Sequence, residues 1–263
     1  METQIKVLNL NGEETESLSL PSVFQTPFRQ DVINRVYVAL ASHNIQPQGR
    51  DPLAGERTSA ESGHPPTGRG ISRIPRVKGE RYSKSGMAAA VASVVHGRLA
   101  HPPRSEKVIR KEVNKKERYL ALASAVAATG DQELVAKRGH KFSSKLPIIV
   151  SNDIENLTKV RELKKFLVSI GADKDLERTG RRSKKVSSAL SKRTRPSVGP
   201  LIVVSGGSKL ASIVKSMEGL TIAKSSNLSV LDLAPGSAPG RLTIWSKSSL
   251  DSLSKNVLNV GGA

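Results

Sequence analysis

The sequence has no cysteine and only eight aromatic residues among its 263. Without cysteine there is neither a disulfide framework nor a thiolate metal site, a composition compatible with a reducing compartment. No run approaches the roughly 18 apolar residues of a membrane span. The opening METQIKVLNL lacks the basic and apolar regions of a secretory signal. The expected location is therefore the cytoplasm, with no membrane partner. The aromatic residues (Phe24, Phe28, Tyr37, Tyr82, Tyr119, Phe142, Phe166 and Trp245) are scattered. They are too few for the stacking platforms on which readers of single-stranded RNA hold bases. Recognition of phosphate and shape is favoured over recognition of bases.

Acidic charge is also scarce. The formal net charge is +19, a field that selects nucleic acid or an anionic surface as partner. Residues 46–119 carry a net +9 and residues 181–200 a net +7, so two segments supply 16 of the 19 units. Charge so placed marks two places where a polyanion would sit.

The first is Gln46–Ser85. Its apolar residues Leu53, Ala54, Ala60, Ile71, Ile74 and Val77 follow neither a helical nor a strand period, so no face exists to bury. Glycine and proline recur and break any regular element. From Arg69 to Lys84 the chain carries Arg69, Arg73, Arg76, Lys78, Arg81 and Lys84 against Glu80 alone. A structureless stretch of this length inside a compact domain is uncommon and is usually functional or disordered. These features predict an extended arm over 46–85 that penetrates folded RNA, inserted into one discontinuous globular domain, 1–45 with 86–263. Ordering about 40 residues costs about 1–2 kcal/mol each in backbone freedom, so the arm is expected to order when RNA supplies the phosphates. Arg98, Arg104, Lys107 and Lys111 follow the arm and join the candidate RNA contacts.

The second place runs through Arg181, Arg182, Lys184, Lys185, Lys192, Arg193 and Arg195, with no acid between Thr179 and Val204. Self-repulsion there calls for a polyanion; a nuclear-import signal is a further reading of so dense a run.

Catalytic and cofactor patterns fail their spacing tests. Ser205-Gly206-Gly207-Ser208-Lys209 outlines a phosphate cradle, but it lacks the Walker, dinucleotide and nucleophile-elbow glycines. A plain β–α turn is the better reading. His96 and His101 are five apart, not the four of a helical zinc pair. The carboxylates Asp131, Glu133, Asp173, Asp175 and Glu177 sit among polar residues and read as solvated helix ends. No nucleophile–base–orienter set emerges, so no enzyme, metal or cofactor is expected.

The remainder predicts an α/β fold, a mostly parallel sheet flanked by helices. Strands are expected at Ile5–Leu8, Leu146–Val150, Leu201–Val204, Thr221–Ala223 and Leu242–Trp245. Helices are expected over Arg29–Ser42 behind a Thr26 cap, Gly86–His96, Ser105–Val113, a capping-box start at Asn114 running through Ala128, Asn156–Ile170, Leu210–Met217 and Ser248–Ser254.

Three stretches carry a resemblance: Pro66-Thr67-Gly68-Arg69-Gly70 with Arg73-Ile74-Pro75-Arg76-Val77-Lys78-Gly79; Ala121–Thr129; and Leu233-Ala234-Pro235-Gly236-Ser237-Ala238-Pro239-Gly240-Arg241-Leu242-Thr243. Together they resemble the universal L-four proteins of the large ribosomal subunit, in their archaeal form, over nearly the whole chain. The resemblance implies a structural role without catalysis. It implies large-subunit ribosomal RNA and neighbouring ribosomal proteins as partners, and a loop tip at Thr67, Gly68, Arg69 and Gly70 beside the nascent peptide in the exit tunnel. The absence of a long basic C-terminal extension points to an archaeon. The Ser-rich Ser187–Ser191 departs from the family's more basic, Gly-rich pattern. A general RNA- or DNA-binding regulator is the rival reading, and a nucleotide-dependent enzyme using the Gly206-Gly207 turn is a distant third.

Overall fold

The computed structural model describes residues 4–62, 68, 70–183, 197–206 and 209–253. The chain divides into two units, 1–42 with 111–263 and 43–110. In the first, β1 (Gln4–Leu8) and β2 (Glu14–Ser19) form an antiparallel hairpin. A 3₁₀ turn at Ser22–Gln25 leads to α1 (Gln30–Ser42). Among its described residues the second unit holds two two-residue strands, β3 (Ala60–Glu61) and β4 (Arg76–Val77). Past it come α2 (Lys115–Thr129), α3 (Gln132–Lys137), β5 (Ile148–Val150), α4 (Val160–Ser169) and α5 (Asp173–Ser183). The chain continues through β6 (Leu201–Val204), α6 (Leu210–Lys215), β7 (Thr221–Lys224), α7 (Val230–Leu233), β8 (Thr243–Ser246) and a last helix, α8, at 247–253.

The six strands of the first unit form one sheet in the order β2-β1-β5-β8-β6-β7, parallel except for β2. Strand side chains alternate between faces, and the core divides accordingly. Ile149, Leu201, Val203 and Trp245 join one cluster with residues of α1, α2 and α7. Ile148, Val150, Ile202, Val204 and Ile244 join a second with residues of α4 and α6. A sheet covered on both faces reads as uninterrupted apolar runs, as Leu201-Ile202-Val203-Val204 does.

Several local expectations fail for identifiable reasons. Thr26 does not cap α1; it follows the 3₁₀ turn, and the helix begins at Gln30. The cap comes from another helix: the Arg29 amide donates to Ser124 Oγ at 2.8 Å, and that hydroxyl donates to the Pro27 carbonyl at 3.2 Å. Asn114 does precede α2, without a side-chain cap. Glu117 accepts from Arg35 Nη1 at 2.9 Å, tying α2 to α1 instead of closing a capping box. Leu120 lies outside the buried side of α2, whose second half, Ala121 and Ala123–Thr129, is buried on every side. Strand β2 and helices α3, α5 and α7 are present in addition to the expected elements. No helix forms over 86–96 or 105–113. Ala90 and His96 hold φ of 63° and 59°, left-handed values that stop a right-handed helix.

Candidate nucleic-acid interface

The unit 43–110 contains twelve lysines and arginines and five carboxylates, a net +7. The chain leaves the α/β unit after Ser42 and re-enters at Lys111, whose amide donates to Ser42 Oγ at 2.9 Å. One hydroxyl thus closes the root of a 68-residue excursion.

Within the excursion, Ala60 faces Val77 and Glu61 faces Arg76 in an antiparallel pair. On the other side of β4, Val77 N donates to Met87 O at 2.9 Å, Gly86 N to Val77 O at 3.0 Å and Ala89 N to Pro75 O at 3.0 Å. Three short extended runs lie side by side with 75–78 in the middle. The expectation that this stretch has no ladder of its own is corrected: its strands are two residues long, too short to print a period in the sequence. Pro75 contributes a carbonyl where no amide is needed. Between β3 and β4 lies the tip. Gly68 and Gly70 there have φ of 84° and 68° with no atom within 4 Å of a would-be Cβ. Thr67 and Arg69 lie outside the described residues.

Basic side chains in this unit fall into two sets. Arg76 is half-buried, and its Nη1 donates to Gly86 O at 2.9 Å, making it a strut of the ladder. Lys78 pairs with Glu61, Arg98 with Glu56 at 3.5 Å, and Arg57 with Asp51 at 2.8 Å. Arg73, Arg81, Lys84, Arg104 and Lys107 are exposed, and none has an ion pair among the described residues. Lys111 belongs to the α/β unit and is also exposed.

For the second cluster, Arg181 and Arg182 fall in the last turn of α5. Lys184, Lys185, Lys192, Arg193 and Arg195 lie outside the described residues. The chain just past that segment is held from within. Arg178 Nη2 donates to Val198 O at 2.9 Å, and Arg241 Nε donates to Gly199 O at 2.9 Å. Arg178 is aimed by Asp175, whose carboxylate also accepts from His140 Nδ1 at 2.9 Å and the Lys141 amide at 3.0 Å. Asp175 is therefore not a solvated helix end; it is fully buried. Burial pushes its carboxyl up, but the hydrogen bonds from His140, Arg178 and Lys141 outweigh that and hold it below the usual aspartate range. Burial also pushes the His140 imidazole down, against the pull of Asp175, so a neutral ring donates to an ionised carboxylate. Arg241, the most buried arginine of the set, is pushed down to about 10 by desolvation and remains a cation. The sequence signal that could have shown this cluster is the Asp175/Arg178 spacing of three on one helix.

The Ser205 turn is filled by the protein itself. Glu155 accepts from the Ser205 amide at 3.0 Å and from Ser246 Oγ and Ser248 Oγ at 2.8 Å each. Desolvation raises this carboxyl, but the backbone and serine donors more than compensate and leave it lowered. An internal carboxylate thus sits on a turn amide that a phosphate would otherwise use. Among the described residues, no three His, Cys, Asp or Glu side chains are grouped to hold a metal ion.

The geometry defines a class: a doubly covered α/β protein with exposed basic side chains concentrated in a ladder-stitched excursion. Over residues 18–256 the sequence matches the model of the ribosomal protein L4/L1 family, and the chain belongs to that family. It is 43% identical over 256 residues to the large ribosomal subunit protein uL4 of Sulfolobus acidocaldarius, covering 95% of this chain and 93% of that one. It is 41% identical to the uL4 of Haloquadratum walsbyi, covering 95% and 98%. For the uL4 of Methanosphaera stadtmanae identity is 37%, covering 95% and 96%. The family is one of structural ribosomal proteins, not enzymes.

Proposed function

We propose that the chain is an RNA-binding constituent of the large subunit of cytoplasmic ribosomes and supports its assembly. The segment 46–85 inserts into ribosomal RNA, and the segment 181–195 makes a second contact. The tip at Thr67–Gly70 lies beside the nascent peptide, and neighbouring ribosomal proteins are further partners. One observation carries this reading: the excursion concentrates a net +7 on residues 43–110 while leaving Arg73, Arg81, Lys84, Arg104 and Lys107 exposed and unpaired among the described residues. Membership of the ribosomal family supports it.

The ladder modifies the account of ordering. Its stem is organised by its own backbone bonds and by Arg76, so RNA has chiefly the tip and the unpaired cations to order. Neutralising 6–10 phosphates makes affinity fall by about 10³–10⁵ between 50 and 200 mM salt. Titration of the full chain with large-subunit ribosomal RNA across that range tests the reading. A flat response, or failure to co-sediment with the large subunit through a high-salt gradient, would overturn it.

A further inference from the structure

A cavity of about 300 Å³ lies on the α/β unit near where the excursion departs. Leu40 and Leu228 contribute apolar wall, Tyr119 an aromatic ring, Ser225 and Ser226 hydroxyls, and Arg118 a guanidinium. Leu40 is two residues before Ser42, and Arg118 is one turn inside the helix that begins after the re-entry point.

Two features show that this lining is unfinished. Ser225 is buried, and its hydroxyl has no hydrogen-bond partner among the described residues, a condition that buried polar groups rarely leave uncorrected. Arg118 is exposed and has no ion pair among the described residues. Two acids close in sequence to the lining are already engaged, Glu117 by Arg35 and Asp232 by the amide and hydroxyl of Ser229. The surroundings therefore offer an unsatisfied hydroxyl and a free positive charge beside an apolar, aromatic-bearing wall. The volume is at the lower end of ligand sites, about 300–1,000 Å³. It is too small for a helix or duplex and suits one small planar group with an attached anion.

We infer that this cavity receives a single unpaired nucleotide of the RNA that surrounds the root of the excursion. The base would lie against Tyr119 and Leu228 with an edge toward Ser225, and its phosphate would face Arg118. Unstacked bases are held in this way, on an aromatic or apolar surface with polar groups at their edges. The inference rests on the ribosomal RNA reading above and adds a base-holding site to a protein whose other basic features address phosphates.

The test is chemical probing of large-subunit ribosomal RNA bound to the full chain, comparing wild type with Arg118→Glu and Ser225→Leu. The leucine fills the cavity, and a retained thermal transition certifies its fold; the exposed Arg118→Glu serves if it does not fold. Arg161→Glu, on α4 at the opposite face of the sheet, controls for loss of charge. The expected result is one unpaired nucleotide protected by wild type and by Arg161→Glu but exposed with both cavity variants, other protections persisting. Affinity should fall about tenfold, in the range of losing one stacked base. Identical footprints for all four proteins would overturn the inference and leave the ribosomal reading intact, with ordered water or a protein side chain as the cavity's occupant. If wild type protects no RNA, both fall together.

Discussion

Asp175 accepts the Nδ1–H of His140 at 2.9 Å, and both side chains are sealed from solvent. The same carboxylate orients Arg178, which holds Val198 at the far end of the basic segment. A buried neutral–anionic pair thus fixes the spacing of two chain ends that lead into the densest run of positive charge.

The pair makes stability pH-dependent. Both groups have folded values below their ordinary ones, so each contributes stability that is present above its unfolded value and lost as pH falls through its folded value. With unfolded values of about 6.5 for histidine and 3.9 for aspartate, the melting temperature should decline below about pH 6.5 and again below about pH 4. His140→Gln should remove the first decline. An unchanged profile would show that His140 is not buried neutral.

Arg241 donates to the carbonyls of Gly199 and Asp232 at 2.9 and 2.8 Å and to Thr221 Oγ1. Arg241→Lys keeps the charge but cannot reproduce the planar fork. Leaving even one buried carbonyl unpaired costs about 1–3 kcal/mol, so Arg241→Lys should destabilise by at least about 2 kcal/mol in urea. A loss of less than about 0.5 kcal/mol would mean that the chain at Gly199 does not depend on it.

Ser124→Ala removes the hydroxyl that α2 lends to the start of α1. Caps of this kind contribute about 0.5–2 kcal/mol, and the loss should appear in global unfolding because the serine is fully buried. Helix fraying confined to α1, measured by hydrogen exchange, would contradict that coupling.

Two glycines of one stretch should respond differently. Gly236 and Gly240 both have left-handed φ, 76° and 82°, but only at Gly240 would a Cβ collide with backbone, 2.7 Å from Leu134 O. Gly236→Ala should cost about 1 kcal/mol from conformation alone, while Gly240→Ala should cost clearly more and disturb the packing of α3. Equal effects would remove the steric explanation.

Arg76 and Lys84 separate stem from contact. Arg76→Ala should open the ladder, increasing protease cleavage between residues 59 and 89 of the RNA-free protein. Lys84→Ala should leave cleavage unchanged and reduce the salt slope of RNA binding by about one phosphate. Reversed outcomes would exchange the two roles.

Composition and periodicity alone determined that the protein is an α/β molecule, where five of the six main-sheet strands lie, and where positive charge concentrates. These depend on local sequence: apolar runs for strands covered on both faces, and charges read directly from the chain. The tertiary structure alone decided that Asp175 is buried instead of solvated, that Ser124 caps a helix 95 residues away, that Glu155 fills the Ser205 turn, and that Arg76 braces a ladder. Each of those depends on which distant groups meet once the sheet is formed. A polar residue's environment is set by partners that its neighbours in sequence do not reveal, and two-residue strands are shorter than the run of about 4–8 residues over which alternation is recognised.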